Sequence, residues 1–330
     1  MFELIAEIGS VHDGSFGNAL KLVDLSKEVG ATAVKFQMHI AEEESLKNAP
    51  KPYYFSGEDR FDYFKRTSFS DKEWELLRTR AKDLQMDFVV SPFSIAAFHK
   101  LEKLNVDAYK VASGEVTNIP LIEKIAQSGK KTYISSGMSS LDDIDHAIRL
   151  FPDKSKIVIM QCTSMYPCPL NYVGLNVIEY LKQNYDINLG FSDHTVTNTA
   201  ALMAFSFGAR TIEKHLTFSK KMYGSDAPYA SEPDQFKELT LSLNEAENIL
   251  NNPVSKDEMT IKLNDMKHVF EKSIVAKFNL KKGKIITFED LAFKKPGEGL
   301  KPKYYKKLLG KRLIKDIKED QILKEEDFII

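Results

Sequence analysis

His194 in "GFSDHT" and His215 in "TIEKHLT" each close a short apolar run, and each follows an acid by one or two positions. Neutral imidazole is the commonest protein ligand for a transition metal. Two imidazoles are too few for a closed structural zinc site, which wants four ligands. They suit an open site that water and substrate complete. Asp193 or Glu213 would orient the imidazoles or add an oxygen. The plain alternative is a pair of histidines that cap neighbouring loops. Lys35 and Lys110 lie inside apolar, strand-like runs. A lysine there is costly unless it meets an anion, or loses its proton and becomes a nucleophile. Snorkelling out of a strand end is the bland reading. With the hydroxyls of Ser113, Ser135 and Ser192, the two lysines describe a pocket for a phosphate and a carboxylate. "SDHT" holds the three residue types of a hydrolase triad, but successive strand residues face opposite ways, so that reading is set aside. His12 and His39 follow strand ends and are further candidates to line the site.

Residues so far apart in the chain need a scaffold that gathers strand ends. The first 250 or so residues alternate short apolar runs with amphipathic stretches. The runs are "FELIAEIG", "TAVKFQM", "DFVVSP", "AYKVASGE", "KTYISSGM", "KIVIMQCT", "INLGFSDHT" and "TIEKHLT", and a helical pattern follows each. A polar, aromatic loop is expected over 40–69. After it, Ser70 and Glu73 form a capping box before a helix. Eight strand–helix units imply parallel crossovers, and eight that close on themselves make a TIM barrel of the usual size. A doubly wound open sheet is the runner-up. No G-x-G-x-x-G follows the first strand, so a dinucleotide fingerprint is missing.

In a barrel, chemistry sits where the strands end. Those ends carry Glu7; Lys35 and Gln37; Ser91; Lys110, Ser113 and Glu115; Ser135 and Ser136; Gln161, Thr163 and Ser164; Ser192, Asp193 and His194; Glu213 and His215. Polar residues at all eight ends are expensive unless paired, so stability does not account for them. The last two strands are neighbours about 4.8 Å apart, which brings His194 and His215 within reach of one ion.

Composition excludes several other classes. The 330 residues are 43% hydrophobic and 28% charged, with a net charge of -1. No whole-chain field draws the protein to nucleic acid or anionic lipid. The Lys-rich C-terminal part interleaves its lysines with acids and reads as a solvated surface. Cys162 and Cys168 match no common zinc spacing and make no disulfide framework. No run approaches the roughly 18 apolar residues of a membrane span, and no signal peptide is evident, so no membrane role and a cytoplasmic location are expected.

Residues 1–255 are assigned to the barrel, 256–269 to a polar linker, and 270–330 to a compact, mostly β domain. In that last part "NLKKGKIITFEDL" and "DIKEDQILKEEDF" share a pattern: polar turn, apolar pair, acidic end. This is a weak internal duplication.

Nine stretches in order, "IAEIGSVHDG", "AVKFQ", "SPFS", "YKVASGE", "SSGM", "QCTSMYP", "GFSDHT", "EKHLT" and "KKPGEGLKP", resemble the sialic acid synthase family over nearly the whole chain. That family condenses phosphoenolpyruvate with an aminosugar. The resemblance implies a TIM barrel followed by an antifreeze-like β-clip domain, in a homodimer whose small domains are swapped over the partner's barrel. It places the metal on His194 and His215, with Mn2+ expected and Mg2+ or Co2+ as alternatives. It makes Glu7, Glu213 and Lys110 catalytic. It puts phosphoenolpyruvate on Lys35, Lys110, Ser113, Ser135, Ser164 and Ser192. The sugar falls to Gln37, Tyr166, Asp226 and, from the partner chain, Lys295. Three departures from the family pattern concern or lie near the sugar side: Val11 in "SVHDG", Ala227 in "GSDAPYA", and Lys295 in "KKPG", where relatives carry arginine. Lysine does not reproduce a bidentate arginine contact.

The expected reaction joins carbon 3 of phosphoenolpyruvate to the aldehyde of a six-carbon, N-acylated aminosugar. A nine-carbon 2-keto-3-deoxy acid and phosphate result. N-acetylmannosamine, a 2,4-diacetamido-trideoxyhexose and a mannose derivative all remain open as acceptors, and a phosphorylated acceptor is less favoured. A Schiff-base pyruvate aldolase on Lys35 or Lys110 is the enzymatic rival. A non-catalytic sugar- or ice-binding protein is the other.

Overall fold

A computed structural model describes residues 2–51 and 57–329. Eight parallel strands close into a barrel in chain order. They are β1 (Glu3–Gly9), β2 (Ala33–Met38), β3 (Asp87–Pro92), β4 (Ala108–Val111), β5 (Lys131–Ser135), β6 (Ile157–Cys162), β7 (Asn188–Asp193) and β8 (Thr211–His215). Closure comes from β1 pairing with β8, with Glu7 opposite His215. The open-sheet alternative is thereby excluded.

Side chains alternate along each strand, and the two faces do different work. The outward face of the strands packs on the helices in a large apolar cluster that includes Leu4, Ile8, Val34, Phe36, Phe88, Val90, Ile159 and Ile212. The inward face holds a smaller cluster of Ile5, Ala33, Val89, Ala108, Tyr133, Val158 and Met160. Two residues further along the same strands come Glu7, Lys35, Ser91, Lys110, Ser135 and Cys162, all buried. A period of two therefore carries apolar residues into the barrel's middle and polar residues to its C-terminal mouth.

The helices start and stop where the sequence signals them. Ser70 and Glu73 form the expected capping box on Asp71–Asp83, and Ser140 with Asp143 forms another on Leu141–Arg149. Such caps contribute about 1 kcal/mol each. The segment expected to be a loop over 40–69 instead contains helices Ala41–Glu44 and Arg60–Thr67; its residues 52–56 lie outside the described residues.

The chain divides into two compact units, Met1–Asn251 and Asn252–Ile330. The stretch 256–269, read as a linker, is largely helical, in Lys256–Lys262 and Asn264–Phe270. Ser255 caps the first of these helices on Glu258. Polar composition hid them, because no face is buried within the described structure.

The second unit contains an antiparallel pair, β9 (Ser273–Ala276) and β10 (Leu291–Lys294). Its core is Ile274, Ala276, Leu280, Ile286, Leu291, Leu308, Leu313, Ile317, Leu323 and Phe328. The sequence duplication has a structural counterpart. Leu280 and Ile317 exchange backbone hydrogen bonds of 2.8 Å in both directions. Each repeat ends in a short 3-10 turn, Phe288–Asp290 and Glu325–Asp327. The closing acid accepts from the backbone N–H three residues earlier, Asp290 from Thr287 and Asp327 from Lys324.

Candidate active site

At the barrel's C-terminal mouth four charges share one buried cluster. Lys35 Nζ lies 2.8 Å from Glu7 Oε2 and 3.8 Å from Glu213 Oε1. Lys110 Nζ lies 2.7 Å from Glu213 Oε2. Gln37 Nε2 donates to Glu7 Oε1 at 2.6 Å, and Ser192 Oγ donates to Glu213 Oε1 at 3.1 Å. The anions that make buried lysines tolerable are thus, in the first instance, the protein's own carboxylates.

Burial and pairing compete at each of these groups. For Glu213 burial is the largest influence and raises the pKa, but Lys110 and Lys35 overcome it and hold the carboxyl down to about 2. For Glu7 burial wins over Lys35, helped by the neighbouring Glu213 charge, and the pKa rises. For Lys35 burial lowers the pKa, yet Glu213 and Glu7 together carry it upward. For Lys110 burial prevails over the attraction of Glu213, and the pKa falls. The two carboxyl groups in one pocket are therefore driven apart: Glu213 is held ionised, while the pKa of Glu7 is raised.

His194 and His215 stand beside this cluster with ring centroids 5.9 Å apart. His194 Nδ1 lies 3.0 Å from the Thr163 carbonyl oxygen. A carbonyl only accepts, so Nδ1 carries a proton, and the Nε2 lone pair is left facing the Tyr166 hydroxyl at 3.1 Å. His215 Nδ1 is buried with no hydrogen-bond partner. Burial lowers the His215 pKa to about 4, against the pull of Asp226, so the ring is neutral and one of its nitrogens offers a lone pair to a metal. For His194 burial pushes downward, but Cys162 and the Thr163 carbonyl outweigh it and the pKa rises. The unpartnered His215 Nδ1 and the His194 Nε2 beside the Tyr166 hydroxyl fit a divalent ion. No cluster of three or more His, Cys, Asp or Glu side chains that could hold a metal occurs among the described residues, so the remaining ligands would be water and substrate.

Asp193 makes no direct contact with either imidazole, where the sequence suggested that it would orient one or add an oxygen. It faces the outside of the barrel, where its Oδ2 lies 2.6 Å from Lys214 Nζ. Alternation is the reason: Ser192 and His194 face in, so Asp193 faces out.

A second group of side chains surrounds Gly137. A Cβ built there would overlap Ser164 Oγ and fall 2.6 Å from Ser113 Oγ and 3.1 Å from Cys162 Sγ. The absence of a side chain leaves two hydroxyls and a thiol converging on one backbone, a shape suited to an oxyanion. Cys162 was not expected here. Its place two residues after Met160, on the inward face, was the available signal.

Of the other candidates, Tyr166 packs its ring 4.2 Å from that of His194 and 6.2 Å from that of His215. Asp226 Oδ2 accepts from Ser10 N at 2.7 Å and Ser10 Oγ at 2.8 Å. Gly9 makes this approach possible: its φ is +52°, and a Cβ would collide with Asp226 Oδ2. Ser135 is buried at the end of β5. Lys295 belongs to the second unit, where its Nζ lies 4.9 Å from the Phe270 ring centroid. Val11 and Ala227 are both fully buried in the outer apolar cluster, so neither departure is a lumen residue.

His12 packs against Phe69 and Phe36 and lines a small cavity with Ser10, Gln37 and His39. His39 is stacked between Phe64 and Phe93, at 3.7 and 4.1 Å. It joins Glu44 to Gln37 through hydrogen bonds of 2.8 and 3.1 Å, and so supports the amide that reaches Glu7.

No helix of the described residues is long and apolar enough to cross a membrane. The NeuB family model matches residues 22–255, and the SAF domain model matches residues 271–329. The chain is 32% identical to the N,N'-diacetyllegionaminic acid synthase of Campylobacter jejuni, over 98% of each protein. It is also 32% identical to the human N-acetylneuraminate-9-phosphate synthase, over 98% of this chain and 91% of that one. The crystal structure of an N-acetylneuraminic acid synthetase from Leptospira borgpetersenii superposes with a TM-score of 0.71 at 29% identity, covering 80% of this chain and 91% of that one.

Proposed function

The chain belongs to the NeuB family, and from that premise we propose how its own residues perform the family's reaction and which groups serve each step. The reaction condenses phosphoenolpyruvate with an aminosugar aldehyde to a 2-keto-3-deoxy nonulosonic acid and phosphate. The observation that carries the assignment of roles is the meeting, at one barrel mouth, of the His194–His215 pair, the Lys35 and Lys110 ammoniums and the hydroxyl cradle at Gly137.

Phosphoenolpyruvate presents a carboxylate and a phosphate. Lys35 and Lys110, with the hydroxyls of Ser113, Ser135, Ser164 and Ser192, hold these anions and fix the enol for attack. A divalent metal on His194 and His215, for which we propose Mn2+, supplies Lewis-acid polarisation of the aldehyde oxygen when bound. Carbon 3 of phosphoenolpyruvate bonds to the aldehyde carbon, whose oxygen takes a proton. Water adds at carbon 2 and loses a proton. The bond from carbon 2 to the bridging oxygen then breaks, phosphate leaves with the proton of the carbon 2 hydroxyl, and the ketone remains. Glu7, with its raised pKa, is suited to give and take these protons. Glu213 stays ionised and holds Lys110 and Lys35 in place.

On the sugar side we assign Gln37, Tyr166 and Asp226, with Lys295 supplied by the partner of a swapped homodimer. The Schiff-base rival needs a free amine, whereas both lysines are ion-paired, Lys35 with Glu7 and Lys110 with Glu213.

The test is release of inorganic phosphate from phosphoenolpyruvate, with N-acetylmannosamine, its 6-phosphate and 2,4-diacetamido-trideoxyhexoses as acceptors. It is run with Mn2+ and again after EDTA. Release with one acceptor, lost on chelation and restored by Mn2+, supports the assignment and identifies the sugar. Turnover that survives exhaustive metal stripping refutes the role of the two histidines. Borohydride trapping of pyruvate on a lysine would instead establish the aldolase.

A further inference from the structure

We infer that Asp193 and Lys214 form a buried brace that sets the spacing of His194 and His215, and through it the metal affinity of the site; the inference rests on the metal reading above. Both side chains are almost wholly buried, at 0 and 3% exposure. They are directly opposite each other on β7 and β8. Each lies between two inward-facing residues: Asp193 between Ser192 and His194, Lys214 between Glu213 and His215. The pair therefore fixes, from behind, the strand ends that present all four.

The geometry is fully satisfied. Lys214 Nζ donates to Asp193 Oδ2 at 2.6 Å, to the Thr195 carbonyl at 2.9 Å and to the Thr197 carbonyl at 3.2 Å. An ammonium has three N–H groups, and all are used. Asp193 Oδ1 accepts from Thr195 N at 2.8 Å. Asp193–Lys214 is the last rung of the β7–β8 ladder, and His194 lies beyond it. The Thr163 carbonyl and Cys168 N tie His194 toward the β6 side. The brace ties the turn of residues 193–197 to β8, the strand that carries His215.

Stability does not explain such a pair. Desolvating two charges offsets most of their attraction, and well-packed apolar residues of similar volume serve a core equally well. What an apolar pair lacks is direction: it cannot hold two carbonyls and a carboxylate at fixed positions around one atom. Asp193 and Lys214 are accordingly positioning residues, without contact to the reacting atoms.

The experiment compares the full-length wild type with D193L/K214M. It measures the melting temperature, Mn2+ affinity by electron paramagnetic resonance, phosphoenolpyruvate affinity by calorimetry, and the imidazole resonances of His194 and His215 without metal. The expected result is a variant that melts within about 5 °C of wild type. It binds Mn2+ at least ~10-fold more weakly, the lower end of the loss that follows when the support around metal ligands is removed. Its phosphoenolpyruvate affinity is unchanged, and both histidine resonances are displaced. A folded variant with wild-type Mn2+ affinity and unmoved resonances overturns the inference. If the wild type itself takes up no Mn2+, the metal reading falls, and the brace is decided by the resonances alone. If the double variant does not fold, D193N is judged by the same measurements.

Discussion

Replacing Glu213 by glutamine exposes the electrostatics of the mouth most directly. The wild-type cluster balances two ammoniums against two carboxylates. E213Q keeps the shape and leaves Lys35 and Lys110 facing Glu7 alone. Removing one partner of a buried pair costs about 3–5 kcal/mol, because the other charge stays desolvated. The depressed pKa gives a similar figure: from 4.5 to about 2 corresponds to roughly 3 kcal/mol. For a unit the size of this barrel, each kcal/mol lowers the melting temperature by about 2–4 °C. E213Q should therefore melt roughly 6–20 °C below wild type.

The pH dependence has a definite sign. A carboxyl with a depressed folded pKa contributes stability above its unfolded value and loses it as pH falls toward the folded value. The gap between wild type and variant should thus be full above about pH 4.5 and narrow as pH drops toward 2. Phosphoenolpyruvate supplies the missing anion, so at saturation it should raise the melting temperature of E213Q by more than that of wild type. Differential scanning fluorimetry across pH, with and without phosphoenolpyruvate, measures both effects. A variant within about 1 °C of wild type at neutral pH would show that Glu213 does not neutralise the lysines, and the charge accounting would be refuted.

His12 gives an acid-sensitive contribution of a different kind. Its Nδ1 accepts from Gly14 N at 3.0 Å, and burial, opposed by Asp226, lowers its pKa from 6.5 to about 4. The unfolded chain takes up that proton first. Stability should fall between pH 6.5 and 4, by at most about 3 kcal/mol, and NMR titration should show His12 neutral at pH 5.5. G137A should crowd Ser113 and Ser164, raising KM for phosphoenolpyruvate about 10-fold or more with little change in melting temperature; unchanged KM removes the cradle from the site. G9A should be worse than G137A for folding, because it adds a strained φ of +52° to a collision with Asp226; wild-type thermal stability would contradict this. H39F keeps the stack between Phe64 and Phe93 but drops the bonds to Gln37 and Glu44, so kcat should fall while the melting temperature holds, and equal kinetics would leave His39 a packing residue.

The barrel was legible because its signals are local. Eight apolar runs, each followed by a helical pattern, leave few parallel topologies, and Ser70 with Glu73 marks a helix start by itself. The helices at Lys256–Lys262 and Asn264–Phe270 carry no comparable signal. They bury no residue, so the sequence shows polarity where a buried helix would show a stripe. The short helices within 41–67 were masked likewise by the aromatic and charged residues around them.

The site was legible to the extent that it depends on which face a residue takes. A period of two from Ile5, Ala33 and Ala108 sends Glu7, Lys35 and Lys110 to the mouth, and the same count sends Cys162 there from Met160. It also sends Asp193 outward, so the acid beside His194 in sequence does not touch its ring. Partner choice is another matter. Nothing in "YKV" or "IEKH" states that Lys110 meets Glu213, 103 residues away, or that Lys214 meets Asp193. Those pairings follow from closure of the barrel, which sets β8 between β7 and β1. The "EKH" and "SDH" triplets then read as one device: inward acid or hydroxyl, outward charge, inward imidazole. The middle residue of each triplet holds the other's strand, and the outer two face the chemistry.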